Sequence, residues 1–257
     1  MTANHDRREE VYSVVNNTAS EAARQKWLPL IACAAGFVII AIGCLILACW
    51  ILRVAPLMAA FPQFGAMNPV TAGLVIIAGI ALHRFGTRKQ QGRFDKIGIL
   101  LASILVLASA ARLVGFIAGP KSILAFEAPG LSYPVSREIA PNTAICLLLC
   151  GVGLLLADRR GRSFLRASQV MVILSGVIAL LAVVGYSYQV LFLSRFKGFM
   201  PMALETAVAL IVFCAGFLAA RPKRGVMALI TSPSSGGAVA RRLLPVAILI
   251  PWLLGGV

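Results

Sequence analysis

Acidic side chains are scarce in this chain: 9 Asp and Glu among 257 residues, against 24 Lys and Arg and 2 His. Charged residues amount to only 13%, too little polar surface to cover a water-soluble globule of this length. His5 lies in a polar tail and His83 at the end of an apolar run, so no bis-histidine pair for haem is available. The phosphate-binding pattern G-x-x-x-x-G-K-[ST] is missing, and Ser, His and acid nowhere share a spacing that joins a nucleophile to a base. No cofactor and no catalytic residues are expected.

Metal-ligand spacing is missing too. All six cysteines fall inside apolar stretches, where a thiol packs as a small hydrophobe. Cys146 and Cys150 share one helix face, but no His or carboxylate nearby completes a ligand set.

What the chain does have is apolar length. Hydrophobic residues make up 60% and the mean hydropathy is +0.90, which points to a lipid bilayer as the principal partner. A helix needs about twenty apolar residues to cross about 30 Å of hydrocarbon. Seven segments approach that length: 27–52, 67–84, 97–118, 140–157, 168–193, 199–220 and 243–257. The expected fold is therefore all-α, a polytopic bundle of about seven transmembrane helices, with residues 1–26 as a tail and 27–257 as the membrane domain.

Net charge is +15 and the sequence pI about 10.5, yet the basic residues sit in short clusters between apolar runs. That pattern matches anionic lipid and membrane topology rather than nucleic acid. Eighteen of the Lys and Arg fall in the tail and after the second, fourth and sixth spans. Arg53, Lys121, Arg137, Arg195 and Lys197 fall on the opposite side, and Arg112 lies within a span. Positive residues stay in the cytoplasm, so the N-terminus is expected there.

Three segments repeat one pattern: Asn68-Pro69-Val70-Thr71-Ala72, Pro141-Asn142-Thr143-Ala144 and Leu204-Glu205-Thr206-Ala207. Each opens an apolar run with small residues at matching offsets (Gly79, Gly151, Cys214; Ala81, Gly153, Gly216) and ends at Arg84, Arg159 or Arg221. The expectation is three parallel hairpin repeats, 27–84, 97–157 and 168–220, with 243–257 as half of a fourth. A last half-hairpin implies that the natural polypeptide continues. Thr71, Thr143 and Thr206 mark the helix starts, where a hydroxyl can satisfy a free amide, and the small residues let helices approach closely.

Ionisable residues inside spans are costly and are the first candidates for function. Arg112 and Glu205 each lie about six residues from the outer end of their predicted spans, about 9 Å deep at 1.5 Å per residue. Equal depth and opposite charge suggest an intramembrane ion pair that a signal could break.

Two stretches add a resemblance. Ser136-Arg137-Glu138-Ile139-Ala140-Pro141-Asn142-Thr143-Ala144, and Ser232-Pro233 through Arg241-Arg242-Leu243-Leu244-Pro245 into Ile250-Pro251-Trp252, resemble the N-terminal multi-helix membrane region of bacterial sensor histidine kinases and PAS-containing signalling proteins. The resemblance implies an integral inner-membrane sensory module, a homodimer, and a cytoplasmic kinase or cyclase output domain that these residues do not include. A small transporter or permease subunit is the alternative; against it, the repeats share one orientation and form no inverted pair.

Overall fold

A computed structural model describes residues 27–28, 30–52, 67–87, 96–118, 139–159, 161–187 and 202–221, with four isolated positions beyond. These residues form six helices: α1 (Leu30–Ile51), α2 (Pro69–Thr87), α3 (Lys96–Ala118), α4 (Pro141–Ala157), α5 (Arg162–Ser187) and α6 (Leu204–Ala219). No strand occurs among them. The tail 1–26 and the expected span 243–257 lie outside the described residues.

Four helices, α1, α2, α3 and α5, are long and apolar enough to cross a membrane, and their composition suggests a bilayer environment. The other two, α4 and α6, have 17 and 16 residues. At 1.5 Å per residue they reach about 25 Å, just short of the hydrocarbon thickness. They are inner helices, sheathed by longer neighbours.

The division into inner and outer helices follows from burial. Only 28% of the apolar window of α1, α3 or α5 is buried, against 56% for α2. Large exposed hydrophobics crowd α1, α3 and α5 (Phe37, Leu107 and Leu181 among them), whereas α2, α4 and α6 together expose only Ile145 and Val208. In water such a surface would aggregate; in lipid it is the expected exterior.

On the inner helices the buried residues follow a spacing of four and three: Thr71, Val75, Ala78, Leu82, Phe85; Thr143, Leu147, Cys150, Leu154, Ala157; Thr206, Leu210, Phe213, Phe217. This is the seam period of packed parallel helices. Phe85 and Phe217 stack with centroids 5.0 Å apart, bringing the α2 and α6 seams together, and the Arg221 guanidinium lies 4.7 Å from the Phe85 ring.

Each outer helix occupies a groove between two inner ones. α3 packs on α2 and α4, and α5 on α4 and α6. α1 packs on α2 through Gly36 and Gly43, and on α6 where Gly216 meets Ala32 and Ala35. The first and last described helices thereby close a ring.

Two boundaries differ from the sequence reading. α5 begins at Arg162 rather than 168, because Gly161, at φ 135°, turns the chain so tightly that a helix starts at once. Its first turn, before the expected start at 168, is not a connection: Leu165 is buried against the bundle. α6 begins at Leu204 rather than 199, since Ala203 is extended (φ −61°, ψ 142°) despite its apolar surroundings.

Candidate functional site

The inner helices begin at one end of the bundle, here termed the motif end. Their starts share a geometry. Ala140 and Ala203 cap α4 and α6 with nearly the same dihedrals, φ −60° and ψ 139° against φ −61° and ψ 142°. The amides of Ala72, Ala144 and Ala207 each reach back 3.0 Å to the carbonyls of Asn68, Ala140 and Ala203. Thr71, Thr143 and Thr206 are thus the third residue of their helices and 4%, 3% and 1% exposed. The N-cap residues of α4 and α6, Ala140 and Ala203, make no side-chain cap bond. In α2 and α4, Asn68 and Asn142 instead accept from the amides of Val70 (2.8 Å) and Thr143 (3.0 Å).

Just before each start stands a bulky buried residue, Met67, Ile139 or Met202, each 1% exposed. Its carbonyl lies outside the helical ladder, and in an apolar setting it must find a donor. An outer helix supplies one every time. Trp50 Nε1 donates to Met67 O at 3.0 Å, Arg112 Nε to Ile139 O at 2.9 Å, and the Tyr186 hydroxyl to Met202 O. Sequence reasoning missed these three latches, because indole, guanidinium and phenol share only a long side chain with a polar tip near a helix end.

Arg112 is among the largest fully buried side chains, 1% exposed. Glu205 stands in the first turn of α6, not six residues deep, and its Oε2 is buried without a hydrogen-bond partner. Arg112 therefore binds a backbone carbonyl, and Glu205 is not joined to it. Among the described residues, the buried side-chain oxygens lacking a partner are Ser109 Oγ and Glu205 Oε2.

Midway along the bundle, Ser175 of α5 ties α4 in place. Its hydroxyl donates to Cys146 O at 3.2 Å and lies 3.3 Å from Cys150 Sγ, while Cys146 Sγ reaches Ser175 O at 3.8 Å. Cys214 of α6 lies on the other side of this node, where a Cβ on Gly176 would stand 2.9 Å from its sulfur. No group of three or more His, Cys, Asp or Glu suited to a metal occurs among the described residues. Ser175→Ala should lower stability by about 0.6–1.7 kcal/mol, the range for interhelical hydrogen bonds in membranes. Unfolding in mixed micelles measures it, and an unchanged midpoint would show the node to be idle.

His83 is likewise structural: its ring packs on Phe37 at 4.5 Å and its Nδ1 lies 3.4 Å from Cys33 O.

No protein-family model, no curated protein and no solved structure matches this chain.

Proposed function

We propose that this chain is the sensory input module of a bacterial signalling protein: three like-oriented hairpins, α1–α2, α3–α4 and α5–α6, closed into a ring in the inner membrane. Its N-terminus is cytoplasmic, its working form is a homodimer, and its output is a kinase or cyclase domain on the cytoplasmic side. The hairpin repeat is supported by equivalent residues meeting equivalent neighbours. Gly79, Gly151 and Cys214 each approach the outer helix of their own hairpin, while Gly153 and Gly216 approach the outer helix that follows around the ring.

The observation that carries the sensory reading is the arrangement of polar groups. Asn68, Thr71, Arg112, Thr143 and Thr206 lie at the motif end, Ser175 midway and Ser168 and Gln169 toward the opposite end on α5, while beneath the threonines the inner seams continue apolar through Val75, Leu147 and Leu210 to Leu82, Leu154 and Phe217. A transporter needs polar groups that lead a solute onward from mid-membrane. A receptor needs a packed body that changes shape as a unit, which the apolar inner seams supply.

The test is a chimera carrying a returning transmembrane helix and a diguanylate cyclase domain after Val257. Tyr186→Phe, which unties one latch and keeps the ring, is expected to change cyclic dinucleotide output severalfold at equal membrane abundance. Output indifferent to this change, together with solute flux in proteoliposomes that Glu205→Gln abolishes, would replace the sensor with a transporter.

A further inference from the structure

At the start of α6 two acceptors compete for one phenol. Tyr186, near the end of α5, donates its hydroxyl to Met202 O, the carbonyl just before α6 begins. Glu205 follows in the first turn of α6, close enough to Tyr186 for its charge to act on the phenol. Its Oε2 is buried and makes no hydrogen bond.

The acceptor that Tyr186 takes depends on the charge of Glu205. A hydrogen bond to an ionised carboxylate is roughly twice as strong as one to a neutral acceptor. An ionised Glu205 therefore draws the hydroxyl away from the Met202 carbonyl, and rotation of the Glu205 side chain completes the exchange. The observed arrangement, with the carbonyl filled and the carboxyl oxygen bare, suits a neutral carboxyl group. Opposed influences bear on its charge: the positive end of α6 favours it, and burial of Oε2 without a donor disfavours it. The residue as a whole is half-buried, so protons reach it.

The surroundings leave this pair to itself. From α5 the titratable group facing Glu205 is Tyr186. α2 brings the neutral Asn68 and Thr71 to the motif end, and its ionisable His83 and Arg84 stand at the other. α1 meets α6 at Ala32 and Ala35, far along from Glu205, and brings Cys49 and Trp50 to the motif end. Arg112 of α3 is engaged with the Ile139 carbonyl at the start of α4.

We infer that Glu205 and Tyr186 form a proton-operated latch. With Glu205 protonated, Tyr186 holds Met202 O and fastens the start of α6 to α5. When the proton leaves to water, the carboxylate takes the Tyr186 hydroxyl and Met202 O is released. The inference deepens the sensory reading, on which the motif end faces outward and external pH is a signal, but the latch itself does not depend on that reading.

The experiment titrates the full chain in dodecyl maltoside from acid to mildly alkaline pH by infrared difference spectroscopy. A carboxylic acid C=O band that disappears as pH rises, and is missing in Glu205→Gln, reports the proton on Glu205. Tyr186→Phe removes the donor that stabilises the ionised form. It should therefore raise the proton affinity of Glu205 about tenfold, the difference between a hydrogen bond to a charged group and one to a neutral group. With carbonyl-labelled methionine, the band that is lost in Met202→Leu should shift to the position of a free carbonyl at the same pH at which Glu205 loses its proton. A Glu205 band that does not titrate, a proton affinity unchanged in Tyr186→Phe, or a Met202 carbonyl indifferent to pH overturns the inference. If the latch titrates while the cyclase chimera ignores external pH, the latch stands and the sensory reading fails. If chimera output follows pH equally in Glu205→Gln, the sensory reading stands and the latch is overturned as its trigger.

Discussion

Gly36→Ala should destabilise the bundle by about 1–3 kcal/mol, the usual penalty for overpacking a tight interior. One methyl group does this because of what surrounds it. A Cβ at Gly36 would stand 2.8 Å from His83 Cβ, 2.9 Å from the His83 amide nitrogen and 3.0 Å from the Gly79 carbonyl oxygen. Two of these three are backbone atoms of α2 and cannot rotate away, so α1 must move off α2. Helix propensity works the other way, since Ala is favoured over Gly by about 1 kcal/mol in a helix interior. Gly73 isolates that opposing effect. Nothing lies within 4 Å of where its Cβ would be, so Gly73→Ala should stabilise by up to about 1 kcal/mol. Thermal or detergent-induced unfolding of both variants measures the difference. Equal shifts of the same sign would mean that α1 and α2 are not in close contact.

The same contacts explain which parts of the fold were legible in the sequence. Small residues at fixed offsets after each Thr-Ala pair were readable, since only Gly, Ala or Cys lets two helix backbones approach this closely. The start of α5 was not. Arg162, Ser163 and Arg166 lower the hydropathy below that of a span, yet Gly161 starts the helix there and the bundle buries Leu165. Hydropathy reports where a helix meets lipid, whereas helix ends are set by turn chemistry and hydrogen bonding.

Glu205 shows the converse. The apolar residues before it extend the hydropathy signal past the helix start at Leu204, so Glu205 falls in the first turn rather than six residues along its helix. The structure separates two problems that the sequence had merged. Arg112 answers a backbone carbonyl that would otherwise be orphaned, and Glu205 faces the positive end of its own helix, where a carboxylate is favoured. A polar residue inside an apolar run thus signalled a special site correctly, while its partner depended on where the backbone left the helical ladder.

Arg112→Ala is expected to have the largest effect of any single substitution in this chain, a loss of about 3–6 kcal/mol. Two costs add. Removing a large, fully buried side chain leaves a cavity, worth about 2–5 kcal/mol in truncations of buried residues. The Ile139 carbonyl also loses its donor in a place where water does not replace it, worth about 1–3 kcal/mol. An opposing effect is relief from holding a charge in an apolar medium, about 2.5–3.5 kcal/mol on insertion scales for a lone Arg at mid-membrane. That relief is smaller here, because Arg112 lies six residues from the end of α3 and is already hydrogen-bonded. Arg112→Met separates the contributions: it refills most of the cavity and discards the charge, leaving the orphaned carbonyl as the main cost. Its loss should therefore stay below about 3 kcal/mol. Trp50→Phe and Tyr186→Phe provide a scale, since each deletes one donor to the equivalent carbonyl and keeps most of the ring. Tyr186→Phe should cost about 1 kcal/mol. Unfolding free energies in a common detergent should rank Arg112→Ala as most damaging, then Arg112→Met, then Tyr186→Phe. If Arg112→Ala proves no worse than Tyr186→Phe, the guanidinium does not hold the start of α4, and the three latches are not equivalent solutions to one structural problem.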